Sequence, residues 1–499
     1  MEINHILTLM TFWPTVGAFV VALLPRNGRI VRWWALFVSV VTFLLTLHLP
    51  MHFAYGQAGF QFVEDQAWIT SPAIRYHMGV DGLSMWLVVL TGFLAVVGTL
   101  VSWKVIETRT NEFYFFFLLQ QTAIIGIFVS LDIFLYYAFW EMSLIPTAIL
   151  IAMFGRERGP RTAIKYFLYT FIPSALFLVA ILWLYAKTGT FEYPALKQIL
   201  AKNGGLFGPN ALWWAALAFL VAFAVKVPVF PLHGWLSDSI SDAPTAMAMV
   251  IAGKLGLYSI IRFNLGLFPV QAREIAPLMV VLAVIGILYG ASIALVQTDI
   301  KRLIAYATLS ALSFCTLGIF CFSLSGLDGA VYQFINEGVS GAALLALAGF
   351  LHERYGTYDM ERYGGLAAKL PMMATLFVIT GLAVVGLPLF NNFVGEFLVL
   401  SGSFHAHPGW VLAATLGVIL TAGYMLTMIQ NIFYGPESKM VMQHAASDFS
   451  AREHVLLWPM AVLMLAMGIF SPFWMRAIDQ GVASLATPAA HTISYAEKR

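Results

Sequence analysis

Charge is scarce in this sequence. Asp, Glu, Lys and Arg make up 10% of its 499 residues, against roughly 25% in soluble domains. Lys plus Arg number 27 and Asp plus Glu 25, a formal net charge of +2 that offers no basic field for nucleic acid. Cysteine is nearly missing. Cys315 and Cys321 share one apolar stretch without CxxC spacing, so the chain cannot assemble an iron–sulfur cluster or a zinc site, and both read as small buried apolar residues. No basic n-region or small-residue cleavage site precedes the first apolar run, which therefore reads as a retained span. What abounds is apolar surface: 60% hydrophobic residues and a mean hydropathy of +0.83. The composition predicts an all-α polytopic membrane protein.

About fourteen runs are long enough to cross roughly 30 Å of hydrocarbon. Ser-Leu-Asp at 130–132 is the only punctuation between two of them, and the run from Pro371 to Phe404 is too long for one straight helix. The odd-numbered connections carry sixteen Lys and Arg, the even-numbered ones and the C-terminal tail nine, among them Arg262. Lys301 is counted among the sixteen. An excess of cations marks the cytoplasmic side, which puts both termini outside. Of the 27 cations only Lys226 and Lys254 remain inside apolar runs. A charge within a membrane is costly and marks a functional position.

Lys226 lies just before Pro228 and Pro231, and Lys254 lies in the apolar run that begins near Pro244. Val227-Pro-Val-Phe230 recurs as Leu387-Pro-Leu-Phe390, each just past the middle of an apolar run. Proline lacks the amide donor a helix needs, so Pro228, Pro231 and Pro388 are expected to free the carbonyls of Ala224, Val227 and Val384 and to break their helices. Backbone freed at membrane depth persists only inside protein or along a wet cavity. The recurrence predicts two repeats of five spans, and an odd number of spans makes them inverted. The expected divisions are an N-terminal three-helix segment at 1–110, a first repeat at 111–265, a second at 266–435, and a C-terminal helix with tail at 436–499.

Five ionisable residues then stand out: Glu141, Lys226, Lys254, Glu337 and Glu396. Burial disfavours the charged form of either type and an opposite charge restores it, so a carboxylate and an ammonium that approach and separate load and release a proton. The bland alternative is a set of ion pairs that only fixes helix packing. Two carboxylates and two lysines beside two broken helices weigh against it. His233, Asp238 and His405, near breaks or span ends, are candidates for access to bulk water, although interfacial histidines more often have no such duty. Trp33, Trp34, Trp213 and Trp214 read as interfacial anchors.

The motifs Gly79-Val-Asp-Gly-Leu-Ser84, Phe139-Trp-Glu-Met-Ser-Leu-Ile-Pro146, Pro231-Leu-His-Gly-Trp-Leu236, Ala243-Pro-Thr-Ala246, Asp299-Ile-Lys-Arg-Leu-Ile-Ala-Tyr306 and Asn392-Phe-Val-Gly-Glu-Phe397 resemble the antiporter-like membrane subunits of respiratory complex I. The resemblance spans nearly the whole chain and is strongest to the chain M type, because the second broken helix carries a glutamate, Glu396, where the chain L and N types carry a lysine. It implies proton translocation driven by quinone reduction elsewhere in the complex. By motif, Glu141 and Lys226 would be an interacting pair, Lys254 the central site, and Glu396 the residue exchanging protons with one side. It further implies no redox centre in this chain, with NADH, FMN, iron–sulfur clusters and quinone in partner subunits of the L, N, K, J, A and H types, and a bacterial plasma membrane as location.

Two positions depart from that pattern. Ala311 stands where many relatives have a histidine in the tenth span, and Glu337 stands in for one in the eleventh. Glu337 can still pass a proton, whereas Ala311 leaves only space for water. Two rivals follow: the large subunit of a multi-subunit sodium/proton antiporter, which shares the fold, and a spacer subunit that moves no protons.

Overall fold

A computed structural model describes residues 4–57, 59–203, 207–251, 254–443 and 446–486. The chain runs α1 (Ile6–Leu23), α2 (Gly28–His52), β1 (Gln61–Ile69), β2 (Ile74–Val80), α3 (Met85–Val105), α4 (Thr110–Val129), α5 (Ile133–Phe154), α6 (Gly159–Thr188), α7 (Tyr193–Asn203), α8 (Pro209–Lys226), α9 (Leu236–Asp242), α10 (Thr245–Ile251) and α11 (Lys254–Ser259). After a π-helical turn at Ile260–Leu265 follow α12 (Pro269–Leu295), α13 (Ile300–Phe320), α14 (Leu324–Tyr355), α15 (Pro371–Val384), α16 (Asn391–Phe404), α17 (Pro408–Phe433), α18 (Lys439–Gln443), α19 (Ala451–Ile469) and α20 (Ser471–Ala486).

Local chemistry sets the ends. Asp132, the lone punctuation between α4 and α5, accepts from the amides of Phe134 and Leu135 at 2.8 and 3.0 Å and so starts a new helix. Asp299 does the same for α13 through Arg302 at 3.0 Å. Gly189 and Gly356 close α6 and α14 with φ of 75° and 70°, a conformation in which other residues would be strained. The run from Pro371 splits into α15 and α16, as its length required.

Among the described residues, twelve helices are long and apolar enough to cross a membrane, and two shorter apolar ones, Asn210–Lys226 and Pro371–Val384, stop at the breaks. Among the described residues the fold is all-α apart from one antiparallel hairpin, β1–β2, paired from Gln61↔Val80 to Ile69↔Ile74. A search for long apolar runs passes over it, because a strand signals by alternation within a short polar connection. Arg75 grips Asp65 across it with two hydrogen bonds of 2.8 and 2.9 Å, which holds the Asp65 carboxyl below the usual carboxylate range.

The hairpin and the α4–α5 connection share one face: Met78 bridges Ser130, and Asp132 bridges Glu192. The opposite face gathers the connections after α5 and α13's start with the ends of α9 and α14, around a vestibule of about 970 Å³. Arg156, Arg158, Arg161, Lys165 and Arg302 make that face arginine-rich.

Two cations counted as surface charges are buried. Arg262 sits in the π-helical turn, bonds Asp81 through two nitrogens at 2.7 Å each, and lies over the rings of Phe60, Tyr193 and Tyr258. Lys301, in the first turn of α13, donates to the Ala243 carbonyl and lies 5.4 Å from the Tyr358 ring centre. A guanidinium is always charged, so its burial is tolerated only when its donors are matched in this way. The count from sequence missed both because each lies at a span end, where apolar runs and connections look alike.

Candidate functional site

At the first break α8 stops at Lys226, the chain turns through 227–235, and α9 begins at Leu236. Pro228 was expected to free the Ala224 carbonyl, but that oxygen accepts from the Val229 amide at 2.8 Å, one residue beyond helical register. The wider turn restores the bond that proline removed. The Val225 carbonyl in turn accepts from the Trp235 indole at 2.8 Å. Lys226 is buried, donates to the Tyr166 hydroxyl at 2.9 Å, and faces the rings of Trp140 and Tyr166 at 5.5 and 5.1 Å. Its ammonium is held by a hydroxyl and two π faces.

Glu141 is half-buried and accepts a hydrogen bond from the Ser174 hydroxyl. The expected interacting pair is therefore apart: Glu141 and Lys226 form no ion pair, and a hydroxyl occupies each charge. Lys254 is 8% exposed and has one long bond, 3.4 Å, to the Met249 carbonyl. It packs on α14, where a Cβ added to Gly338 would meet the lysine Cε at 2.8 Å. Glu337, the next residue, accepts from Thr308 at 3.1 Å, and a Cβ on Gly341 would meet its carboxylate at 2.9 Å. Glycine at both positions lets the helix backbone approach the two charges directly.

Beyond Glu337 the space opens. A small cavity of about 10 Å³, room for about one water, is lined by both Glu337 and Glu396, with Ala311, Ser310 and Asn392 on its wall. The small side chain at 311 thus coincides with open volume between two buried carboxyls. Glu396 accepts from the Gln333 amide at 3.3 Å. It sits against the second break, where α15 ends at Val384, Leu387 donates to the Leu382 carbonyl at 3.1 Å, and α16 resumes at Asn391. Pro388 lies in this turn, whose Gly386 has φ 76° and would bring a Cβ 2.9 Å from the Glu396 carboxylate. Asn336 and Asn391 clasp the break by donating to each other's carbonyl at 2.8 and 3.3 Å.

The three access candidates separate. His233, in the turn with Pro231, lies against Phe230 and Tyr289 with its Nδ1 buried and without a partner. Asp238 lines the arginine-rich vestibule, bonded to Lys165 at 2.6 Å and Arg302 at 3.2 Å. His405 follows α16 and is exposed, away from both. Tyr166, Ser174, Thr308 and Gln333, which hold the charges, escaped the sequence reading; each is a polar residue within an apolar run, a signal weaker than charge. Among the described residues no three of His, Cys, Asp and Glu converge as a metal site.

Residues 130–421 match the model of the NADH:quinone oxidoreductase/Mrp antiporter transmembrane family. NADH-quinone oxidoreductase subunit M of Rhodobacter capsulatus is 37% identical, covering 97% of this chain and 96% of that one. A chain of respiratory complex I from Thermus thermophilus superposes with a TM-score of 0.86 at 30% identity, covering 97% of this chain and 100% of the other. A chain of the Mrp complex from Dietzia shares the fold, with a TM-score of 0.83 at 18% identity over 97% of this chain and 98% of its own. Buried carboxyls and lysines beside two broken helices are thus set in a fold and sequence of known kind, and the chain belongs to the NADH:quinone oxidoreductase/Mrp antiporter family, alongside the subunit M members of NADH-quinone oxidoreductase.

Proposed function

We propose that this chain translocates protons in the membrane arm of an NADH:quinone oxidoreductase, along Lys226, Lys254, Glu337 and Glu396. The observation that carries the reading is the cavity lined by both Glu337 and Glu396. Glu337 adjoins Gly338, against which Lys254 packs, so the three charges follow one another across α14. Protons enter from the arginine-rich vestibule, which holds Asp238 and lies on the cytoplasmic side by the excess of cations. Glu141 then approaches and leaves Lys226, exchanging Ser174 for the ammonium and so setting whether Lys226 is charged. Electron transfer, with NADH, FMN, iron–sulfur clusters and quinone, belongs to the partner subunits; the neighbours are the L, N, K, J, A and H types. Both termini face the outer side of a bacterial plasma membrane, and 111–265 and 266–435 act as inverted repeats, each with its own break.

Membrane vesicles carrying the assembled complex test this. Lys254→Ala or Glu396→Gln is expected to suppress NADH-driven proton uptake while the complex still assembles; full uptake with either change overturns the route. The rival of a sodium/proton antiporter subunit has the shared fold in its favour. It predicts that genes for small antiporter subunits, not for quinone-site and iron–sulfur subunits, lie beside this one.

A further inference from the structure

Lys254 lines an internal space between α3, α4 and the α10–α11 segment that Glu337 does not line. It holds about 30 Å³, room for about two waters. Its wall is apolar except for Thr91, Gln120, Gln121 and Lys254. Thr91 commits its hydroxyl to the Leu87 carbonyl at 2.7 Å. Gln120 and Gln121 are 4% and 3% exposed, yet the Gln120 Oε1 and both amide atoms of Gln121 have no hydrogen-bond partner. Exchanging the oxygen and nitrogen of Gln121 changes nothing, since both are unpaired. The glutamines are aimed at the cavity by helical spacing, sharing a face of α4 with Phe117, Ile124 and Phe128.

Buried amides without partners are costly, and native proteins supply them with ordered water when the site is roomy and polar enough. Lys254 is in the same position from the other side: an ammonium carries three donors, and only one long bond is made. Water alone satisfies donors and acceptors together. An acyl chain would leave all three amide atoms and two ammonium hydrogens unmatched.

We propose that Gln120 and Gln121 hold a water cluster against Lys254, and that this cluster is the lysine's second proton-exchange partner, on the side away from Glu337. The proton passes from the ammonium to a cluster water, leaving a neutral amine and a hydronium, or returns by the reverse step. The inference rests on the reading that Lys254 carries protons, and gives the lysine a hydrated side besides the one it turns to α14. Gln120 and Gln121 are positioning residues, acting through water.

A structure of the intact membrane complex at water-resolving resolution tests the site without reference to activity. Ordered water bonded to both the Gln121 amide and the Lys254 Nζ is expected; a dry cavity, or acyl-chain density within it, overturns the proposal. The double variant Gln120→Leu/Gln121→Leu should lose that water and lower proton uptake per electron about tenfold, whereas Gln121→Asn, which keeps an amide, should retain most of both. Should the double variant fail to assemble, Gln121→Met serves in its place, and normal uptake with the water gone defeats the exchange role. The reading beneath is tested separately: Lys254→Ala decides whether the lysine carries protons, and water density decides whether the glutamines hydrate it.

Discussion

Both breaks bury a charge, but at the first it is enclosed by side chains and at the second it borders a small cavity. Lys226 has a hydroxyl at 2.9 Å and two aromatic faces, while the backbone around it recovers the Ala224 bond. Glu396 has one amide at 3.3 Å and a cavity of about 10 Å³ shared with Glu337. The first charge is reached only by moving a side chain, whereas the second is reached by water entering the cavity. The two repeated breaks therefore hold their charges in different surroundings. In this reading one break controls release and the other permits passage.

The hardest blow to that contrast is Lys226→Ala, expected to reduce proton uptake by the assembled complex about a hundredfold; vesicles that still acidify normally would deny the first break any controlling role. Next, Tyr166→Phe removes the hydroxyl that holds Lys226 and should slow uptake about tenfold, the scale of one hydrogen bond to a charged group. A rate unchanged in Tyr166→Phe, measured at fixed NADH oxidation, would mean that the aromatic faces suffice. Ala311→Leu fills the wall between Glu337 and Glu396 and is expected to cut uptake about threefold, with Ala311→Ser close to wild type. Equal uptake in the leucine variant would show that the open volume is not the route.

The smallest effect lies outside both breaks. Arg75 lowers the Asp65 carboxyl, so the hairpin gains from this pair above the unfolded carboxyl's value, near pH ~4, and loses it as pH falls through the lower folded value. Because the pair is partly exposed, Asp65→Asn should cost under ~1 kcal/mol. Thermal unfolding of the purified complex at neutral and acid pH checks the sign: the variant should differ from wild type at neutral pH and converge with it in acid.

Charges inside long apolar runs were legible from the sequence, which is why Lys226, Lys254, Glu337 and Glu396 could be named before any coordinates. Their partners were not. Tyr166 and Gln333 are uncharged and 60 and 63 residues away from the groups they bond. Arg262 is the sharper case: its counter-ion Asp81 is 181 residues distant, and nothing local separates a caged guanidinium from one at a membrane surface. The Ala224–Val229 bond was missed for a different reason. Proline rules predict which donor is lost, but not that the next amide along the chain replaces it.

The glycines of α14 constrain how this chain can move. Gly338 leaves just enough room for Lys254, and Gly341 for Glu337. Ratcheting α14 by one turn, about 5.4 Å, would bring Phe334 or Ala342 to the place of Gly338 and drive a side chain into the lysine. Such a slide would therefore require Lys254 to swing its ammonium end aside, so the position of α14 and the placing of the lysine's charge are linked.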